Sequence, residues 1–308
     1  MKKGAWQKLG AAWRRFEQGW FGPADIRVYD WLRVAFAVVA LANLIDLWPH
    51  RAAFFSSEGL IDHAAVAEAA GPWRLSVFQG ADSPVMVTAI FIVVAIALVC
   101  LALGFWPRVM IAIVFVWQLS YTYRAFPIIH GWDILLRVEA FILLISPLGR
   151  TLGEFVMRKT GEIERLRDTV PRYGLVLTQI VLAVIYWQTV WLKAPDPAWR
   201  SGEFISQFML SIYSRFQTPA WADWQVASAL LTYATLAIET AVPLLLWNRR
   251  FRWLGFVLGF GLHLGILAVS PIWLFSLTIL VPYFAFLSGE DIDAIGTFFR
   301  NRLRRVRA

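Results

Sequence analysis

Apolar residues run along this chain in long blocks rather than at alternate positions. Eight stretches, roughly 28–48, 84–104, 107–124, 133–147, 172–193, 225–247, 252–270 and 271–288, approach or reach the ~20 residues that a helix needs to cross the hydrocarbon core. No ten-residue alternating pattern suits a barrel, so backbone groups in lipid have to be satisfied within helices. The pattern predicts an all-α fold, a polytopic membrane bundle of about eight transmembrane helices. The fourth stretch and the last two are short or crowded, which leaves seven or nine spans as alternatives.

Before the first block the spacing changes. Trp6, Leu9, Trp13, Phe16 and Trp20 recur at intervals of three and four, with Lys8, Arg14 and Arg15 on other faces. That is the pattern of an amphipathic helix lying in the headgroup region, broken by Gly22-Pro23, with Asp25 placed to cap the next helix. After the last block, Ile292, Ile295, Phe298, Phe299, Leu303 and Val306 alternate with five arginines, which predicts a second basic surface helix. Both would attach to anionic lipid, with a protein partner as the alternative. The expected division is an interfacial helix over 1–24, a transmembrane domain over 25–290 and a basic cytoplasmic tail over 291–308. The first span is expected to be a retained anchor rather than a removed signal peptide.

Block starts at 28, 84, 107 and 133 recur at 172, 225, 252 and 271, offsets of 138 to 145 residues. A duplication of four helices in one orientation and the accident of evenly spaced loops both account for this. The long segments 49–83 and 195–224 carry Trp73, Phe78, Trp199, Phe204, Phe208, Phe216 and Trp221. They are expected to fold back on the bundle, where they could roof a cavity.

Composition sharpens this picture. Hydrophobic residues make up 59% of the chain and charged ones 16%, too apolar a balance for a soluble domain. The formal charge of +8 would suggest nucleic acid, but its distribution argues against it. With the N-terminus placed in the cytoplasm, inside segments hold 20 Lys/Arg and outside loops hold 5. That asymmetry puts both termini inside, in the cell membrane. Cys100 is alone, and the four histidines show no metal-ligand spacing, so thiol chemistry and a bound metal are not expected.

Charges inside the blocks are the candidate chemistry: Asp30, Arg33, Asp46, Asp133, Arg137, Glu139, Lys193, Glu239 and His263. A charge at the bilayer centre costs about 2.5–3.5 kcal/mol on insertion scales, so such residues face the bundle interior and find partners. At about 1.5 Å per residue, Lys193, Asp133 and Asp46 sit near the outer face. Arg137 lies one turn below Asp133, in pairing order. His263 lies about 15 Å and Glu239 about 20 Å into their helices. One reading is a polar cavity with Lys193 at its mouth. The other is a snorkelling Lys193, a structural Asp133–Arg137 pair, and His263 and Glu239 bonded across helices.

Several ordered motifs then resemble the HTTM (horizontally transferred transmembrane) family, the membrane domain shared with vitamin K-dependent gamma-glutamyl carboxylase. They are Leu32-Arg33-Val34; Phe55-Ser56-Ser57-Glu58-Gly59-Leu60; Gly131-Trp132-Asp133-Ile134-Leu135-Leu136-Arg137; and Tyr186 through Lys193 to Trp199 and Gly202. Ile238-Glu239, Leu244-Leu245-Leu246, Arg249-Arg250-Phe251-Arg252 and His263-Leu264 follow in the family's order. The resemblance implies that Lys193 deprotonates a reduced quinone, and a lysine amine withdrawn from water among Tyr186, Trp187, Trp191 and Leu192 can act as a base. In the carboxylase a histidine assists near the start of the fourth span. The matching position here is Asp133, with His130 three residues earlier. The carboxylase's soluble substrate-recognition domain has no counterpart in these 308 residues, which argues against propeptide-guided carboxylation.

The expectation is therefore a membrane enzyme with Lys193, Asp133 and His263 as catalytic groups. Tyr186, Arg137, Glu239 and Trp187 would bind a quinone, quinol or other lipophilic small molecule. The rival readings are a non-catalytic assembly, export or maturation factor and, behind it, a small-molecule carrier, whose paired Gly/Pro interruptions are missing.

Overall fold

A computed structural model describes residues 2–70, 76–154, 156 and 168–307. Trp73, Arg74 and the basic run over 157–167 lie outside the described residues, as do the side chains of Trp6, Lys8, Leu9, Leu303 and Val306. The fold is all-helical apart from one short ribbon. Among the described residues, five helices are long and apolar enough to cross a membrane: Ile26–Phe55, Pro84–Leu103, Tyr173–Lys193, Gln225–Trp247 and Arg252–Val269. A sixth candidate pairs Trp273–Phe286 with Gly289–Arg302 across a bend of 113°. The chain is a membrane protein.

The chain divides into two units, one of residues up to Thr178 together with Leu287 onward, the other Gln179–Phe286. In the first, α1 (Lys2–Phe21) leads through β1 (Pro23–Asp25) into α2 (Ile26–Leu47). Asp25 caps α2 by accepting the Arg27 N–H at 2.8 Å, as its type and position predict. Strand β2 (Thr169–Pro171) pairs antiparallel with β1, Pro23 opposite Pro171, and so fixes where α8 (Tyr173–Lys193) begins. Helix α2 buries Tyr29, Leu32, Phe36, Ala40 and Leu44 along one helical stripe.

The short α3 (Arg51–Phe55) and α4 (His63–Ala70) precede α5 (Pro84–Leu103), which opens on a Ser83 cap with Pro84 behind it. It closes on Gly104, whose left-handed φ of 76° turns the chain into α6 (Pro107–Arg124). Phe55, Phe78, Phe91, Trp117 and Tyr121 stack into an aromatic core, which brings segment 49–83 back onto the helices through Phe55 and Phe78. Exposed positions on α5, among them Val85, Ile96 and Leu103, are as apolar as its buried ones.

Helix α7 (Gly131–Ile145) runs back beside α6. Its last carbonyls carry the negative end of the helix dipole; one arginine meets them, and a second meets the segment that follows. Arg108 donates to Leu144 O and Ser146 O, and the buried Arg33 to Leu148 O (2.6 Å) and Arg150 O (2.8 Å). Asp30 in turn accepts from the Arg150 backbone and side chain at 2.6 and 2.7 Å. Two of the charges in the first apolar block are thus structural.

Helix α14 (Gly289–Arg307) is clasped to the start of α2 through Arg27, which bonds Asp25 (2.7 Å) and Asp293 (2.6 Å). Burial raises the Asp25 carboxyl, but its bonds from Arg27 outweigh that and hold it below the ordinary 3.8. The Arg27 bond does the same for Asp293. A carboxylate with a depressed folded value contributes stability above its unfolded value, and loses it as pH falls through the folded one. The clasp should therefore stay closed down to about pH 4 and open below it. Distances between spin labels on Ala35 and Phe298, followed from pH 7 to pH 3, would show this; an opening centred at pH 5 or above would contradict it.

In the second unit, α8 is followed by α9 (Pro197–Ser201), α10 (Phe204–Leu210), α11 (Gln225–Trp247), α12 (Arg252–Val269) and α13 (Trp273–Leu280). Asp196 caps α9, and the buried Trp199 stacks on Phe204 at 4.0 Å. Ser228 and Thr232, one turn apart on α11, donate to Gly202 O, which docks segment 195–224 on that helix. Gly202 has φ 81°, and a Cβ there would lie 2.8 Å from Ala229. The expected last span is broken, with α13 giving way to a 3₁₀ turn over Val281–Phe286 at Pro282. Helix starts at Ile26, Pro84, Pro107 and Gly131 are followed in order by starts at Tyr173, Gln225, Arg252 and Trp273, close to the offsets in the sequence.

Candidate functional site

The second unit gathers its polar side chains from three helices and one turn. Lys193, the last residue of α8, places Nζ 2.6 and 2.7 Å from the two carboxylate oxygens of Glu239 on α11. The indole of Trp199 lies 4.6 Å from the same nitrogen, over its ring face. Glu239 is nearly buried, and Lys193 keeps about a quarter of its side chain exposed, at 24%. The amine is reachable, and its charge has both a counter-ion and an aromatic face.

Two turns before Lys193 on the same face of α8, Tyr186 is buried, with its hydroxyl 2.8 Å from His263 Nε2 and 2.6 Å from the Tyr283 hydroxyl. His263 follows Gly255 and Gly259 at steps of four along the buried face of α12. A Cβ on Gly259 would stand 1.8 Å from the Tyr283 oxygen, so the glycine is what lets that hydroxyl reach Tyr186. His263 Nδ1 is buried and has no hydrogen-bond partner among the described residues. The unit thus holds an amine–carboxylate pair and a Tyr–Tyr–His chain with one ring nitrogen free to bond a ligand or water.

Of the residues the sequence singled out, Lys193, Tyr186, Glu239 and His263 come together here. Trp187 does not join them. It is exposed and donates to Thr240 O at 3.3 Å. Nor is Lys193 enclosed by its sequence neighbours, since Trp191 and Leu192 point outward at 79% and 64% exposure. Helical geometry sends residues one, two and six positions away to other faces, and the amine's surroundings come from α9 and α11 instead.

Asp133 and Arg137 belong to the first unit, and the ion pair expected between them is not formed. Asp133 is buried at the start of α7. It accepts from the Tyr121 hydroxyl, from Asn43 Nδ2 at 3.2 Å and from the His130 N–H at 2.8 Å. Arg137 instead donates to Thr122 Oγ1 at 3.2 Å. An i, i+4 spacing offers only a few tenths of a kcal/mol, and an acceptor already committed to buried donors from other helices outbids it. Glu139 is buried on α7, bonded to Thr178 at 3.3 Å, and Asp46 is exposed.

Sequence reasoning missed Tyr283 in the second unit, and Tyr121 and Asn43 in the first. The Gly255, Gly259, His263 series was the available signal for Tyr283, because small residues one turn apart announce a close approach on that face. Among the described residues, no group of three or more His, Cys, Asp or Glu is arranged to hold a metal ion. No protein-family model, curated protein or solved structure matches the chain.

Proposed function

We propose that this chain is a cell-membrane enzyme of the HTTM type, in which Lys193 and Glu239 together remove a proton from a lipophilic hydroxyl compound such as a quinol. The reading rests on one observation: a partly exposed lysine amine held bidentately by a nearly buried carboxylate. In the resting pair Lys193 is an ammonium and cannot accept a proton. Glu239, 2.6 Å away, can take one from it, leaving a neutral amine beside a carboxylic acid. Lys193 then accepts the substrate's hydroxyl proton and becomes an ammonium again, now beside the oxyanion it has made. The substrate loses one proton, the pair gains one, and net charge is unchanged. Trp199 favours the ammonium at the end of the step, and Tyr186, Tyr283 and His263 supply hydrogen bonds to orient polar ends of the substrate.

The same proposal takes the fold as eight spans, adding α6, α7 and the α13 segment to the five long helices, with both termini cytoplasmic. The 20-to-5 asymmetry of Lys/Arg supports that orientation. Helices α1 and α14 then lie in the headgroup region. Trp13, Phe16, Phe298 and Phe299 are exposed there beside Arg14, Arg15, Arg300 and Arg302.

The test is to extract and weigh lipophilic molecules that co-purify in mild detergent with the wild type and with a Lys193→Met/Glu239→Gln double variant, which removes both charges at once. A hydroxylated aromatic bound by the wild type and lost from an equally abundant variant supports the reading. Identical extracts, or a variant lost from the membrane, would favour the assembly-factor alternative.

A further inference from the structure

Arg137 stands apart from the arginines of α2 and α6. Arg27 bonds two carboxylates, Arg33 bonds the Leu148 and Arg150 carbonyls, and Arg124 bonds the carbonyls of Ser56 and Ile61 at 3.0 and 2.8 Å. Arg137, six residues or about 9 Å into α7, has one hydrogen bond among the described residues, to a neutral hydroxyl. The Tyr123 ring lies 5.9 Å from its Cζ. A guanidinium carries five N–H donors and a permanent charge, so most of its capacity is unspent.

Two further observations say what would use it. Gln118 lies one turn before Thr122 on the same side of α6 and is almost fully buried, and its Oε1 has no hydrogen-bond partner among the described residues. It is six residues from the end of α6, the depth Arg137 has in the neighbouring antiparallel α7. An acceptor without a donor thus sits level with a cation that lacks an anion. On α7 itself, Ile134, Arg137 and Phe141 share one face, and Ile134 and Phe141 are exposed. Phe141 meets Phe115 of α6 at 5.7 Å. The guanidinium is therefore set between apolar side chains that would lie along an acyl chain.

We propose that Arg137, with Thr122 and Gln118, binds the headgroup of an anionic phospholipid whose phosphodiester takes the guanidinium N–H groups and whose headgroup hydroxyl donates to Gln118 Oε1. The acyl chain runs over Ile134 and Phe141. Arg is suited to this because its planar fork matches two phosphate oxygens at once. The site is independent of the Lys193 chemistry, since every residue in it belongs to the other unit.

Binding can be measured by native mass spectrometry of wild type and Arg137→Gln in maltoside micelles, titrated with dioleoyl phosphatidylglycerol, dioleoyl phosphatidylcholine or oleate. The wild type should bind phosphatidylglycerol at least tenfold more tightly than the variant, with a smaller loss for phosphatidylcholine, which has the phosphodiester but a cationic headgroup without a hydroxyl. Equal phosphatidylglycerol affinity in both proteins would overturn the proposal, and so would an Arg137 dependence confined to oleate. Should Arg137→Gln not be recovered folded, the wild type decides alone, using phosphatidylglycerol with a diazirine in its acyl chain. Crosslinks to α6 and α7 that unlabelled phosphatidylglycerol competes away support the site, and crosslinks restricted to other helices refute it.

Discussion

Lys193→Met is expected to lower folding stability by roughly 3–5 kcal/mol, the cost of stranding one member of a buried ion pair. The carboxylate left behind is nearly buried, and no second cation is bonded to it among the described residues. Glu239→Met should cost less, because Lys193 is more exposed and keeps the Trp199 face. Joining the two changes should restore most of the loss, since the apolar pair leaves no charge unmatched. A double-mutant cycle by denaturant titration in mixed micelles gives the coupling directly. Single-variant losses within about 0.5 kcal/mol of zero would mean the pair is solvated and contributes no more than a surface salt bridge.

In the first unit the expected contrast is between neighbours on one helix. Asp133→Ala removes the shared acceptor of Tyr121, Asn43 and the His130 N–H, leaving buried donors unsatisfied at about 1–3 kcal/mol each. Even with partial rearrangement the loss should reach about 3 kcal/mol. Arg137→Ala, measured in lipid-free detergent, should cost under about 1 kcal/mol, because it breaks one bond to a hydroxyl. Thermal unfolding of the two variants side by side would reveal a salt bridge if their losses were equal.

These contrasts show what the sequence could and could not say. The long blocks at 84–104, 225–247 and 252–270 became helices within a residue of their expected ends, because apolar runs of that length have to satisfy their backbone groups internally, and the first is also marked by Ser83-Pro84 before it and Gly104 after it. The last block gives way to a 3₁₀ run around Pro282, which has no backbone N–H to donate. At the candidate site, Tyr186 and Lys193 could be joined by spacing alone, as they share a helix. Glu239 could not be joined to Lys193. Counting rise along each helix put one at the outer end and the other about 20 Å deep, which assumes that neighbouring helices are parallel to the membrane normal and start level. Partners across helices, such as Tyr121 and Asn43 for Asp133, depend on packing that no local pattern encodes.

The ties of α2 also bear on how the chain is made. Arg33 and Asp30 face each other at 3.8 Å, but their closer partners, Leu148 and Arg150, lie between 115 and 120 residues further on. At about 5–20 residues per second, synthesis needs roughly 6–23 s to deliver those partners after Arg33 itself. During that interval the first span carries an ion pair with no other partners, 3.8 Å apart, beside hydrocarbon. It therefore has to wait in a protein-lined or interfacial setting, and the nascent helices α5 to α7 close around it last. Helix α2, translated before α5 to α7, reaches its final surroundings only after them.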